Sequence, residues 1–425
     1  MLTLMNEALF QFIWKMRLFD HAALNTTDGE AVDILHPGTQ NHHAGPDFSH
    51  ARIRIGDTLW AGNAELHLRS SQWKEHGHHH DPAYNNVILH VVLEKDSEMP
   101  AIPTIELGKR IKPELLDKYR QWMHSGRWIP CAGSLPVATD TELLSWLGRL
   151  AVSRLEDKAM VIAQRLEMNR GDWDETAWQL IARALGNPVN AEPMEQVARS
   201  IPLKLLQKHS HDPLMAEALL LGQAGMLEAG FQELMPLELQ SRYRHLRKLH
   251  GLESLPPGQW KFGRLRPAHF PGVRLSQLAA IVQETPRLFA AIQKADYKTL
   301  QQMFQTEASA YWKEHVHLKH ASVRHSARLG KGTIDSILIN AVVPLLLLWG
   351  QQQADDPGVE RALDLLEQIP AEDNEIIRKW KKHGIQARHA GDSQALLQLF
   401  KTFCNQKRCL SCPIGYRHLQ KVTYI

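Results

Sequence analysis

Apolar side chains recur at helical spacing over 4–19 and then give way to a two-residue alternation, so the chain opens as a helix followed by strands. Ala31 to Leu35, Asp47 to Ile55 and Leu59 to Arg69 read as strands separated by Gly-rich breaks. Ser71 to Tyr84, interrupted by Gly77 and Pro82, predicts a short, poorly formed helix or turn. Asn86 to Glu94 (NNVILHVVLE) is apolar enough for a strand buried on both faces, and His90 within it reads as a hydrogen-bonded core histidine. The expected order is helix, three strands, weak helix, strand.

From Thr139 the period changes. Thr139 and Glu142 form a capping box ahead of Leu143, Trp146, Leu147 and Leu150, and similar amphipathic runs recur to about Phe403. The reading is therefore an α+β chain: a small α/β module over 1–110, a linker over 111–138 that carries Cys131, a helical domain over 139–403 and a cysteine-rich end over 404–425. The longest apolar run, Ile337 to Gly350, is interrupted by Asn340 and Pro344 and is shorter than the roughly 18 residues a membrane span needs. It predicts a buried core helix, and with no signal-peptide pattern at the start the expected location is the cytoplasm, without a membrane.

Composition narrows the picture only a little. The 425 residues are 44% hydrophobic, enough for two or three cored domains. With 49 Lys and Arg against 46 Asp and Glu, the net charge of +3 makes no global case for a polyanionic partner, so a nucleic-acid surface has to be local.

The chemistry is concentrated in Leu59 to Arg69. Ala64, Leu66 and Leu68 fall on one face, and Asn63, Glu65, His67 and Arg69 on the other. A continuous polar stripe is either the solvated side of an antiparallel sheet or the floor of a site. Histidines cluster just beyond it, at His76 and at His78 to His80, where they are either solvated or able to bind zinc and move protons.

Gly45 to Phe48 (GPDF) places Asp47 at the start of the neighbouring strand. Pro46-Asp47 followed by Glu65-Leu66-His67 resembles the PD-(D/E)xK phosphodiesterase superfamily, with His67 where that pattern has lysine. The resemblance implies a metal-dependent nuclease acting on DNA or RNA, in which Asp47 and Glu65 hold Mg²⁺ or Mn²⁺ and His67 assists the water. It also implies that Glu7 supplies the first-helix acid, with His76 or His78 in assistance. Lys74 is the nearest replacement for the missing lysine. The alternatives are a non-catalytic nucleic-acid or protein-binding module and a histidine-bound zinc hydrolase.

Cys404, Cys409 and Cys412 are spaced C-x4-C-x2-C, and Cys131 is the only other thiol. Such spacing suits an iron–sulfur cluster of the [4Fe–4S] kind or Zn²⁺, with Cys131 or His418 as the fourth ligand. Lys407 and Arg408 beside the cluster, and Lys261, Arg264, Arg266 and Arg274 interleaved with Trp260, Phe262 and Phe270, are the local basic surfaces available to phosphate. LGKGTID at 329–335 lacks the full phosphate-loop pattern, which leaves nucleotide hydrolysis without support.

The chain as a whole resembles a bacterial family known as domain of unknown function 2851. The stretches NHHAGPDFSHARI, GNAELHLRSSQW, DPAYNNVILHVV, NAEPMEQVARSIPLKLL, GQAGML, WKFGRLRPAHFP and KRCLSCPIG carry that resemblance.

Overall fold

The computed structural model describes residues 5–41, 43–98, 102–133, 135, 140–186 and 188–423. Leu4 and Thr139, where two helix starts are expected, lie outside them. The chain forms two compact units, one of residues 1–143 with 399–425 and one of residues 144–398. The cysteine-rich end therefore folds with the N-terminal module.

In the first unit α1 spans Glu7–Lys15, started by the Asn6 side chain accepting from the amide of Leu9, and buries Leu9, Phe10, Phe12, Ile13 and Trp14. The strands are β1 (Val32–His36), β2 (Thr39–Gln40), β3 (Phe48–Ile55), β4 (Thr58–Arg69), β5 (Val87–Glu94) and β6 (Thr104–Glu106). Their order is β1-β3-β4-β5-β6, with β2 beside β3. The first connections are antiparallel, whereas β5 runs parallel to β4 and β6 parallel to β5. A parallel neighbour requires a crossover, and residues 70–86 supply it through α2 (Gln72–Glu75) and two single 3₁₀ turns, His78–His80 and Pro82–Tyr84. The weak helix expected here is thus a short, broken one.

Two local features fix the register. Gly62 stands where a Cβ would come within 2.5 Å of Ile88 and 2.7 Å of the Asn86 carbonyl, so glycine lets β4 and the start of β5 close up. On the other side, Phe48 pairs with Ala64 and Ala51 with Gly62, so two residues of β3, Ser49 and His50, face the single Asn63. This is a β-bulge, and His50 adopts a φ of 58° within it. Without the bulge Asp47 would lie opposite Leu66; with it, Asp47 lies opposite Glu65 and on the same face of the sheet.

Residues 113–123, read as linker from the sequence, instead form α3 (Pro113–Met123), which buries Leu115, Leu116, Tyr119 and Trp122. Proline opens it at the first helical position, where its missing N–H is not needed.

The second unit is helical, apart from the short hairpin His315–His317 with His320–Ala321. Its core includes Trp178, Leu220, Leu278 and Val342. Among the described residues one helical stretch, Lys331–Gln353, is long and apolar enough to cross a membrane, and 72% of its most apolar window is buried inside the protein. A π turn at Leu338–Val342 carries it past Pro344. In the same unit Glu217 is buried, accepting from Trp312 Nε1 at 2.5 Å and from Ser309 Oγ at 3.2 Å.

Candidate functional site

The polar stripe of β4 is covered at its middle, between the half-buried Asn63 and the exposed Arg69. Glu65 is 5% exposed and His67 1%, beneath the crossover and α1. Asn41 shapes the loop that delivers Asp47, donating from its side chain to the carbonyls of Ala44 and Pro46, while Gly45 turns at a φ of 102°. The Asp47 amide donates to Glu65 Oε2 at 2.9 Å. The Asp47 carboxylate accepts from the Leu66 amide at 3.2 Å and from Gln11 Nε2 at 2.7 Å.

Glu65 Oε1 lies 3.3 Å from His78 Nε2 and 3.6 Å from His67 Nε2. His67, His76 and His78 each present a ring nitrogen within 4.8 Å of the others. The Nε2 atoms of His67 and His78 are buried and have no hydrogen-bond partner. Behind them His67 Nδ1 meets Nε2 of the fully buried His90 at 2.8 Å, as expected of a core histidine. If His67 keeps its Nε2 lone pair for a ligand, its Nδ1 carries the proton and donates to His90. Tyr84 stacks on His78 with ring centres 3.8 Å apart, and Trp73 closes the wall at 5.4 Å from the same ring.

The start of α2, which aims His76 and His78, is held from the far end of β5. Asp96 accepts from the Ser71 amide at 2.8 Å, the Ser71 hydroxyl at 2.8 Å and the Ser70 hydroxyl at 3.0 Å. Burial is the largest single influence on the Asp96 carboxyl and raises it, but these hydrogen bonds together outweigh it and keep the carboxyl below the usual range.

Burial raises the Glu65 carboxyl, and the neighbouring Asp47 charge adds to it. Asp47 is raised as well, by burial first, against the lowering effect of the Leu66 amide. Burial also keeps the imidazoles neutral: it pushes His90 down to about 4 and lowers His78, while His67 is lowered most, by burial and then by the three neighbouring rings. A buried and a half-buried acid, both reluctant to ionise, beside imidazoles reluctant to protonate form a site suited to a cation.

The expected site residues divide accordingly. Asp47, Glu65, His67, His76 and His78 come together, with His76 exposed at the rim. Glu7 is exposed on α1 and acts on both carboxyls only through its charge; Gln11, one turn later, makes the contact. Lys74 does not replace the missing lysine, because it turns away to the Glu98 carbonyl at 3.4 Å. His79 and His80 are exposed. Gln11, Tyr84 and Asp96 had no signal in the sequence beyond Gln11 lying four residues after Glu7 on one helix face.

The cysteines Cys131, Cys404, Cys409 and Cys412 are all buried and none forms a disulfide. Near them, Lys407 is exposed with its amine on the Met123 carbonyl, and Arg408 lies over the Phe403 ring at 5.8 Å. In the second unit Lys261, Arg264 and Arg266 are exposed. Arg274 is not available to phosphate: it is 3% exposed in the first turn of the helix Pro271–Glu284 and donates to Gln277 and Thr333. Of the aromatics of that segment Trp260 is buried and donates to the Ala224 carbonyl, while the exposed Phe262 and the half-buried Phe270 flank His317. Trp260 and Phe262 border a cavity of about 650 Å³ lined also by Met226, Phe231 and Trp312.

Fold and site together define an α+β protein with a buried carboxylate–imidazole centre on a mixed sheet. The chain belongs to the protein family of unknown function DUF2851, whose model matches residues 7–375. No curated protein and no solved structure matches it.

Proposed function

We propose that the chain is a metal-dependent phosphodiesterase acting on nucleic acid, with its site at Asp47, Glu65, His67, His76 and His78. The observation that carries the metal is the orphaned pair of buried imidazole nitrogens, His67 Nε2 and His78 Nε2, both facing one oxygen of Glu65. A buried polar atom without a partner is costly, and a cation shared with the carboxylate would satisfy all three groups. Support for the phosphodiester class comes from the resemblance to the PD-(D/E)xK pattern, together with the order α1, β1, β3, β4, crossover, β5 that places Asp47 and Glu65 side by side.

Glu65 and Asp47 offer hard oxygens and the three histidines softer nitrogens, a mixed set that suits Mn²⁺, Fe²⁺ or Zn²⁺ better than Mg²⁺. A bound divalent ion would polarise a phosphoryl oxygen and acidify a water. The protein's own contributions are positional. Asp47 holds Glu65 through its amide, Gln11 and the Leu66 amide hold Asp47, and His90 fixes the ring of His67. His76, exposed at the rim, is placed to pass a proton to solvent.

The test is cleavage of plasmid, single-stranded DNA and RNA by the full-length protein with Mn²⁺, Zn²⁺ or Mg²⁺. Cutting that falls by about 10²-fold or more in both Asp47→Asn and Glu65→Gln, with thermal unfolding intact, supports the reading. Tight metal binding with no cleavage of any nucleic acid would overturn the phosphodiesterase in favour of a histidine-bound zinc hydrolase of another substrate. Absence of both binding and cleavage would leave a binding module.

A further inference from the structure

The proposed hydrolytic site leaves the four cysteines without a role. Their placement is elaborate for thiols that merely fill space. Residues 399–425 fold into the unit that contains Cys131, so chain positions far apart in sequence are gathered in one core. The route into the cluster is tightly turned. A π turn runs over Phe400–Cys404, Lys407 takes a φ of 52° with its amide on the Cys404 carbonyl at 3.1 Å, and the Arg408 amide reaches the Phe403 carbonyl at 2.8 Å. A 3₁₀ turn, Cys409–Ser411, then leads to Cys412 at the head of the C-terminal helix Pro413–Thr423.

At that helix start the amides of Ile414 and Gly415 donate to the Cys412 sulfur. Amide donation to sulfur is how a thiolate bound to metal is held and tuned. A Cβ on Gly415 would come within 2.1 Å of the Cys409 carbonyl, so glycine is required for Cys409 to approach the helix. Opposite them, Cys131 lies in a turn closed by the Ala132 amide on the Ile129 carbonyl at 3.2 Å.

Trp128, three residues before Cys131, stacks on Phe400, four residues before Cys404, with ring centres 5.0 Å apart, and the Lys407 amine lies on the Met123 carbonyl, so the two cysteine-bearing segments run side by side. His418 is the rival fourth ligand, since its Nε2 is buried and unpartnered. Its ring sits edge-on to Trp122 at 5.6 Å, and the charges that bear on it are Lys118 and Lys421 rather than the thiols.

Spacing separates the two metals. One zinc with bonds of about 2.3 Å requires sulfurs about 3.8 Å apart in a tetrahedron. Among the described residues, the ligand atoms gathered within 4.8 Å of one another are those of the histidine triad, not these sulfurs. A wider four-thiolate cage suits a polynuclear cluster.

We propose that Cys131, Cys404, Cys409 and Cys412 hold a [4Fe–4S] cluster that fastens the end of the chain to the segment following α3. This centre is separate from the hydrolytic site and does not depend on it.

The experiment is iron, sulfide and zinc analysis with visible spectroscopy on the full-length protein purified without oxygen. The expected result is about four iron and four sulfide per chain, with absorption near 400 nm that bleaches on reduction with dithionite. Cys131→Ser and Cys412→Ser should each retain less than about a tenth of the iron, and His418→Ala should retain it all. One zinc per chain without sulfide, no metal at all, or iron lost in His418→Ala but kept in Cys131→Ser would each overturn the assignment. Because wild-type metal content decides the matter, a serine variant that fails to fold leaves the test standing.

Discussion

The backbone amide of Asp47 donates to one carboxylate oxygen of Glu65 at 2.9 Å, while the other oxygen of Glu65 faces His78 at 3.3 Å. One side chain therefore links the strand that carries the second acid to the crossover that carries the imidazoles. Anything that shifts β3 against β4 moves the whole site.

Glu65→Gln tests this link together with the cost of keeping it. Burial and the Asp47 charge oppose ionisation of Glu65, so a neutral isostere relieves strain in the metal-free protein. The variant should melt higher than wild type in chelator, by a few degrees at about 2–4 °C per kcal/mol, and lose its response to added Mn²⁺. Scanning fluorimetry with and without metal measures both, and a lower melting temperature in chelator would refute it.

His90 makes no contact with solvent and acts through His67. Its replacement by Ala should weaken metal binding by about 10- to 100-fold, the usual effect of removing the partner of a ligating imidazole. Competition with a fluorescent chelator reads the affinity directly. Unchanged affinity would mean that His67 does not bind through Nε2.

How much of this was legible depended on period. Alternation in Leu59 to Arg69 and the apolar run of Asn86 to Glu94 located β4 and β5 to within a residue. It could not say whether the Glu65–His67 face was covered, because a period of two reports only that one face is polar. The cover comes from α1 and from the crossover, whose Ser71–Asp96 anchor spans 25 residues. Gln11 on an amphipathic helix reads as a solvated residue, and Arg274 among arginines reads as surface. The bulge at Ser49 and His50 has no glycine to announce it, and α3 was hidden between breaks that made 111–138 look like a linker.

In the helical unit, Glu217 makes a pH prediction independent of any metal. Burial raises its carboxyl above the ordinary 4.5, against the donors Trp312, Ser309 and Ser276. The folded state therefore keeps a proton that the unfolded chain releases near 4.5, so stability falls as pH rises above that value until the folded carboxyl also ionises. Glu217→Gln should flatten the fall in melting temperature as pH rises above about 5. Parallel curves for the two proteins would contradict it.

Gly62→Ala places a methyl against Ile88 and the Asn86 carbonyl and should cost about 1–3 kcal/mol, seen as a lower urea midpoint. A midpoint equal to wild type would show that β4 and β5 can separate there without penalty.

The bulge also separates inheritance of the fold from inheritance of the chemistry. Closing the bulge without shortening the chain, so that Ser49 and His50 pair in regular alternation, would keep the register from Ala51 onward yet move Asp47 from opposite Glu65 to opposite Leu66, whereas deleting one of the two residues would leave Asp47 beside Glu65. A descendant could thus keep this architecture and lose the carboxylate pair. What brings the two acids together is therefore the pairing of Phe48 with Ala64, and not the presence of both acids in the sequence.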